Sequence, residues 1–340
     1  LAAIWSRAAA STASLIRSRF IARIDTALVM AMTAYFHIVR LVHLFVSSAL
    51  DNPDSAAHPK CEHRSPLPHC LHDWMPAMAK HLIFGAGPIG TATALHLARK
   101  GEQIVVVSRS GQGPSHENVH LVPGDASDPT TVAALADGAT AIYNCLNPAY
   151  TRWAIDWPPM ATALLDAAIS SGAVYAICSN LYGYGPVDGP IGTDAPLNAT
   201  GTKGRVRAAM WADALAAHSR GEVRVTEVRS SDYLGANAES HLGTRIVPNI
   251  LKGKGVRVVG DPDAAHSWTF TEDAARTLVA AAASPQAWGR AWHTPSNPPK
   301  SQREAIADLA SAAGVDDIPV KGMSRSMVST IGLLVPTVRE

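Results

Sequence analysis

The chain has 340 residues, of which 47% are hydrophobic and 17% charged, and its formal net charge is +1. That length allows one large or two modest domains with a substantial core, and so balanced a charge makes no case for nucleic acid or an anionic membrane surface as partner. Four scattered cysteines, Cys61, Cys70, Cys145 and Cys178, exclude a disulfide framework and fit a reducing cytoplasm.

Residues 1–77 read differently from the rest. The run Thr26 to Leu50 is mostly apolar and has no acidic residue, long enough to span a bilayer. Thr33, His37, Arg40 and Ser47 draw a polar stripe along it, so an amphipathic helix on a membrane or partner is an equal reading. It is a poor secretory signal, because the run lies too far in and no small-residue cleavage site follows. Cys61, His63, His69, Cys70 and His72 lie close together, but their spacing matches no structural zinc pattern, and a loose linker is the preferred reading. The favoured account is that residues 1–77 are an upstream extension without a stable fold, with the folded protein beginning near Met78.

His81 to Phe84 predicts a short apolar strand. Gly85-Ala86-Gly87-Pro88-Ile89-Gly90 follows at once, and Thr91 to Lys100 reads as a helix. This order fits a Rossmann dinucleotide turn. The first glycine permits the tight turn, the second lets backbone approach the pyrophosphate, and the third lets helix pack on strand. The helix start then offers free N–H groups to the phosphates. With strand and helix on either side, the glycine motif is specific.

A second strand, Gln103 to Val107, leads into Ser108-Arg109-Ser110. NAD sites place an acid here for the ribose 2′-hydroxyl, and this chain has none. A cation flanked by hydroxyls suits a 2′-phosphate, so NADP(H) is expected, with NAD(H) possible. The plainer alternative is a solvated strand-end charge. Val119 to Val122 is a third strand, followed by Gly124-Asp125-Ala126-Ser127-Asp128-Pro129, in which Asp128 reads as a helix N-cap and Pro129 as the first helical residue. Strands are also expected over Ala141 to Cys145, Ala173 to Cys178 and Val223 to Val228, with helices over Met160 to Ser171 and Thr202 to His218. Strands alternating with helices predict an α/β, doubly wound parallel sheet.

These pieces together resemble the extended and atypical short-chain dehydrogenase/reductases, the NAD-dependent epimerase/dehydratase group, from about Met78 to about Gly314. The resemblance is carried by His81 through Gly90, Gly124 through Pro129, Cys178-Ser179-Asn180-Leu181-Tyr182-Gly183, Val228 through Gly235, and His266 through Asp273. It implies that Asp125 and Ala126 flank the adenine, that Leu146 and Asn147 pass near the ribose and nicotinamide, and that Ser179 holds the reacting oxygen. It also implies that the segment after Val228, with Asp232, Tyr233, Asn237, His241 and Arg245, begins the substrate region. Each of those polar groups is equally readable as a surface loop residue.

The departure is at the proton-transfer pair. The family places Tyr, three residues, then Lys, where this chain has Lys203 and Arg207. The spacing keeps both on one helix face. Arg207 can hold a ribose or phosphate but, as a permanent cation, trades no proton. Lys203 serves as acid or base only if desolvation lowers its pKa, and otherwise steers an anionic group. Tyr182 and Tyr184 are the nearby candidates for the missing phenol. Tyr150, Trp153 and Trp157 are expected at the pocket mouth or over the sheet.

Val256 to Val259, Trp268 to Phe270 and Trp292 to Thr294 are short strand candidates, and Glu272 to Ala283 a helix. Ser301 to Glu304 is a capping box opening a further helix to Ala313. These are expected to form a small C-terminal substrate lobe, which reads as truncated after the apolar run Ile331 to Val335. The expected organisation is an extension over 1–77, a Rossmann domain over 78–235, and over 236–340 a smaller substrate lobe interleaved with the end of the sheet. The leading functional reading is an NADP(H)-dependent oxidoreductase or epimerase-type enzyme. It would act on a small polar carbonyl or alcohol, such as a sugar derivative, without a metal. Ser179 would polarise the oxygen and Lys203 or Tyr182 would move the proton. The alternative is a non-catalytic NADP(H)-binding sensor or regulator.

Overall fold

A parallel sheet is the frame on which every candidate residue is mounted. In the computed structural model of the protein, the described residues are 80–330 apart from 239, 241, 244, 245, 316, 325 and 329. The N-terminal extension with its apolar run and Cys/His group, Met78, His241, Arg245 and the run 331–335 lie outside them.

Strand β1 (Lys80–Phe84) leads through the glycine turn into α1 (Pro88–Ala98). Next come β2 (Gln103–Ser108), β3 (Val119–Pro123) and α2 (Pro129–Ala136). Asp128 caps α2 by accepting from the Thr130 N–H at 3.0 Å, as its place before Pro129 predicts. Then follow β4 (Ala139–Asn144), α3 (Trp153–Ser171), β5 (Val174–Asn180), α4 (Thr202–Ser219) and β6 (Arg224–Ser230). The later elements are β7 (Asp232–Leu234), the short α5 (Val247–Ile250), β8 (Val256–Val259), β9 (Ala265–His266) and β10 (Trp268–Phe270). The last are α6 (Thr271–Ala283), β11 (Arg290–His293), β12 (Lys300–Ser301), α7 (Gln302–Ala313) and β13 (Val320–Met323).

Seven strands form one sheet in the order β11-β6-β5-β4-β1-β2-β3, all pairs parallel. Both faces are buried, which explains the near-continuous apolar runs of β1 and β2. One face packs on α2, α3 and α4 through residues such as Phe84, Ile142, Leu164 and Ile177. The other packs on α1 and α6 through Ile83, Val106, Leu97 and Leu278. A separate core around Leu242, Ile250, Val258, Ile306 and Val320 joins α5, α7 and the parallel pair β8–β13. Apart from Ser311–Gly314, the described residues make one compact unit. No helix among them is long and apolar enough to cross a membrane.

Five elements differ from their sequence expectation. Helix α3 starts at Trp153, ahead of the predicted Met160, and runs through Pro158 and Pro159. Proline removes backbone donors from a helix. Here Trp153 and Trp157 are fully buried against Met210, and burial of a large apolar side chain contributes about 1.5–3 kcal/mol, which holds the turns that the prolines weaken. Strands β5 and β6 run further than expected, because Ser179 pairs in register with Arg229 and Asn180 with Ser230. Finally, α6 and β11 belong to the large sheet rather than to the small lobe: β11 pairs with β6, and Leu278 and Val279 of α6 lie in the sheet core.

The order of strands reverses between β1 and β4, so a crevice opens at their carboxyl ends. Gly85 turns the chain there with φ +106°, and a Cβ on it would meet the Cys145 carbonyl oxygen at 2.5 Å. A Cβ on Gly90 would lie 1.9 Å from the Gly85 carbonyl oxygen. Gly90→Ala is therefore expected to force strand and helix apart and to lower stability by roughly 1–3 kcal/mol. Urea denaturation of the variant measures this, and an unchanged midpoint would refute the close-packing role.

Candidate active site

A Cβ on Gly87 would meet nothing within 4 Å, so the middle glycine faces open space where a phosphate can approach. Gly87 precedes α1 with no side-chain cap, and the helix has no acidic residue in its first turn. Its leading N–H groups, including those of Ile89 and Gly90 after Pro88, thus have no intrahelical acceptor and face the crevice side. Beyond β2, Arg109 is exposed, and it forms no ion pair among the described residues. Ser108 donates its hydroxyl to the Gln112 carbonyl at 2.8 Å, which closes the turn carrying Arg109. Asp125 accepts the Ser127 N–H at 2.9 Å and its hydroxyl at 2.7 Å, leaving part of the carboxylate toward solvent. Ala126 is buried in the core. After β4, Leu146 is half-buried and touches both the sheet core and the Trp153–Trp157 cluster, while Asn147 is exposed.

Around the end of β5 the polar groups are buried. Ser179 is 3% exposed. Its hydroxyl lies near the Glu227 carboxylate but makes no hydrogen bond of ordinary geometry within the described residues. A buried hydroxyl without a partner costs about 1–3 kcal/mol, which an incoming oxygen would recover. Beside it Glu227 accepts from Arg229 Nε at 2.6 Å. Arg229 Nη1 also donates to the Tyr184 hydroxyl at 2.7 Å, and that hydroxyl meets His293 Nε2 at 2.8 Å. Burial outweighs the nearby guanidinium and raises the Glu227 pKa above the ordinary glutamate value. Tyr184 is buried and its oxygen is engaged on both sides, so it is held as a structural group.

Two of the cations of α4, Lys203 and Arg207, are carried by aromatics of α3 and the segment before it. The Lys203 ammonium lies 4.9 Å from the centroid of the Tyr150 ring. Tyr150 stacks on Trp153 at 5.0 Å. The Arg207 guanidinium lies 4.8 Å from the Trp153 ring and 4.2 Å from that of Trp157. Arg207 is buried, donates to the Cys178 carbonyl at 3.4 Å, and has an Nε with no partner within the described residues. Gly204 brings α4 against this point: a Cβ there would lie 2.5 Å from the Tyr182 carbonyl oxygen. Tyr182 itself is 40% exposed, with its ring 5.9 Å from Trp153 and 6.5 Å from Tyr150. Burial of its inner part, then the Tyr150 hydroxyl, push its phenol above the ordinary tyrosine range.

The family model for the NAD dependent epimerase/dehydratase family matches residues 81–292, from the first strand to the last of the large sheet. The chain belongs to this family. Solved epimerases and dehydratases share the fold. UDP-glucose 4-epimerase of Thermotoga maritima, determined with UDP-glucose, superimposes with a TM-score of 0.64 at 16% identity, over 73% of this chain and 87% of the other. A double mutant of DesIV, a dTDP-glucose 4,6-dehydratase of Streptomyces venezuelae determined with NAD, gives 0.60 at 21% identity, over 72% and 84%. UDP-glucose 4-epimerase of Thermus thermophilus with NAD gives 0.61 at 17% identity, over 71% and 85%. D-amino acid dehydrogenase 2 of Mesorhizobium japonicum is 39% identical over 69 residues, which is 19% of this chain and only 17% of that protein.

In this chain of the epimerase/dehydratase family the region after β6 contributes Tyr233, whose hydroxyl donates to the Ser179 carbonyl at 3.4 Å and lies 3.6 Å from Cys178 Sγ. Asp232 pairs with His266 at 3.0 Å. Asn237 adopts φ +59° in a turn, which marks it as a backbone position. The structure thus brings Ser179, Tyr182, Lys203, Arg207 and Tyr233 around the end of β5. It sets the glycines, Arg109, Asp125, Leu146 and Asn147 at or beside the β1–β4 crevice. The buried Glu227–Arg229–Tyr184–His293 chain was missed from sequence. Its signal was present in Glu227, an acid inside a strand between Val225 and Val228.

Proposed function

We propose that the protein is an NADP(H)-dependent oxidoreductase or epimerase/dehydratase-like enzyme with an unusual proton-transfer pair, acting on a small polar carbonyl or alcohol. The observation that carries this reading is the Ser179 hydroxyl, buried without a partner among the described residues at the carboxyl end of a central strand. The glycine turn suits a dinucleotide: Gly87 leaves open space for phosphate, and the start of α1 has neither a side-chain cap nor an acid. Bound there, the nicotinamide cofactor would supply or accept the hydride. Gly85, Gly87, Pro88, Ile89 and Gly90 would hold the pyrophosphate, Asp125 and Ala126 the adenine, Leu146 and Asn147 the ribose and nicotinamide, and Ser108 with Arg109 the 2′-phosphate.

The chain's own groups then divide the work. Ser179 donates to the reacting oxygen, and that bond gives its buried hydroxyl better geometry than the nearby Glu227 carboxylate offers. Tyr182, exposed on one side and protonated at neutral pH, is the better placed proton donor, with Lys203 as the alternative acid or base. Arg207 is a fixed cation held between two indoles, so its part is to shape the ribose side and the local charge. The sensor reading draws on the same fact, because Arg207 trades no proton. It predicts ligand response without turnover.

NADPH oxidation against a panel of carbonyl compounds tests the proposal. Turnover is expected, with NADPH preferred over NADH by roughly tenfold or more, the scale of a charge-assisted contact. Arg109→Leu is expected to remove that preference and leave NADH binding as it was. Tight NADPH binding with no turnover of any carbonyl would favour the sensor.

A further inference from the structure

Two thiols stand beside the crevice, and the proposed reaction uses neither. Cys145 directly follows β4, and Cys178 lies near the end of β5. In the β4–β5 ladder Asn144 stands opposite Ile177, so Cys145 and Cys178 form the next pair. Both segments are still extended there. The Cys145 N–H donates to the Phe84 carbonyl at 2.9 Å, and Cys178 pairs with Val228 of β6. Neighbouring strands run about 4.8 Å apart, within the range of roughly 4.4–6.8 Å that a disulfide needs between Cα atoms. Both side chains pack on the same face of the sheet, against the core under α1 and α6. Each is partly exposed, at the carboxyl end of the sheet where the crevice opens.

The surroundings tie this pair to the glycine turn. A Cβ on Gly90 would lie 3.3 Å from the Cys145 Cβ, and the Cys145 carbonyl oxygen fills the space that a Gly85 Cβ would need. Moving Cys145 therefore moves the turn. Cys145 faces Cys178 and Thr93 of α1, while Cys178 faces the Tyr233 hydroxyl, Arg207 and Glu227. Burial pushes both thiols above the ordinary cysteine value, so the attacking thiolate is scarce at neutral pH and more abundant in alkali.

We propose that Cys145 and Cys178 are a redox-modification site, which a peroxide converts to a disulfide that weakens dinucleotide binding. One thiol takes an oxygen from the peroxide, becoming a sulfenic acid as water leaves. The other thiol attacks that sulfur, and the S–S bond forms as a second water leaves. The two thiols thus lose two hydrogens and two electrons, and the peroxide is reduced to two waters. The link to the dinucleotide rests on the reading that the glycine turn binds it. A bridge displaces Cys145 and with it the turn, whereas a bound dinucleotide holds the turn in place and covers the thiols.

The test treats the reduced full chain with hydrogen peroxide in mildly alkaline buffer, with and without saturating NADPH. Free thiols are then alkylated, and the peptides are mapped by mass spectrometry. A Cys145–Cys178 bridge is expected, lost on reduction with dithiothreitol and formed more slowly when NADPH is bound. The bridged protein is expected to bind NADPH roughly tenfold or more weakly, the scale of coupling between two sites. Cys178→Ala should bind NADPH as the reduced wild type does, before and after peroxide. Several results overturn the proposal: both thiols staying free or oxidising separately, bridges to Cys61 or Cys70 in their place, or a fall in affinity that survives Cys178→Ala. So does a bridged protein that binds NADPH as tightly as the reduced one, or a bridge that forms equally fast with NADPH bound. A Cys145–Cys178 bridge in a protein that binds no NADPH in either state would support the thiol site while sinking the cofactor reading.

Discussion

Tyr182→Phe is expected to lower turnover by roughly a hundredfold to ten-thousandfold, the usual contribution of a positioned proton donor, with NADPH binding intact. The phenol stands three residues beyond Ser179, at the surface of an aromatic group formed with Tyr150 and Trp153. Desolvation is the largest cause of its raised pKa, so it keeps its proton at neutral pH and is poised to give it up only to an oxygen gaining charge. The substitution removes one oxygen and leaves the ring contacts in place. Single-turnover kinetics with NADPH separate the chemical step from binding. Wild-type rates in this variant would exclude the phenol and return the task to Lys203. A protein in which Tyr182→Phe and Lys203→Met both leave the ligand response unaltered behaves as a sensor.

Glu227→Ala is expected to cost about 3–5 kcal/mol of stability, the range for stranding one member of a buried ion pair. Both side chains are buried, and the Arg229–Glu227 contact is 2.6 Å. Without the carboxylate, Arg229 keeps, among the described residues, the Tyr184 hydroxyl and the faces of Tyr184 and Trp211. Glu227→Leu combined with Arg229→Met should recover most of the loss, because it removes both buried charges together. Glu227→Gln should report the pH dependence. The folded carboxyl has a raised pKa, so the folded state holds this proton more tightly than the unfolded chain does. The stability linked to Glu227 is full below its ordinary value of 4.5 and is lost as pH rises through the higher folded value. Urea midpoints of wild type and Glu227→Gln across that interval give the sign. A wild-type midpoint that rises relative to the variant would contradict it.

The half of the fold that carries the glycine turn was legible because its rules are local. A strand, three spaced glycines and a helix lie within a few residues of one another, and Asp128 with Pro129 marks the start of α2 in the same way. The region around the end of β5 depends on contacts remote in sequence. Trp153 and Trp157 look like a loop when Pro158 and Pro159 follow them, and only burial against Met210 shows why the helix persists. The polar ends of β5 and β6 read as loops because Ser179, Asn180, Arg229 and Ser230 break the apolar pattern, yet backbone pairing carries the strands through them. The charges inside β6 make sense only with Tyr184 and His293 beside them, and His293 comes from a strand that the sequence placed in the small lobe. Lys203 and Arg207 were visible as a departure from the family pattern, whereas the aromatic rings that carry them were not.

The position of β11 also bears on how the protein is made. Its partner β6 is complete by Ser230, but residues 290–293 are synthesised much later, and Thr226 and Arg290, hydrogen-bonded to each other, are 64 positions apart. Until they emerge from the ribosome, β6 is the edge of a six-stranded sheet. Its N–H and C=O groups are then open to pairing with another chain, and closing such a long loop is a slow, late step. During that interval Tyr184 and Arg229 also lack His293. Chains stalled or cut before residue 290 should therefore aggregate through β6, and the fold is vulnerable at birth along the same edge that supports the site in the finished molecule.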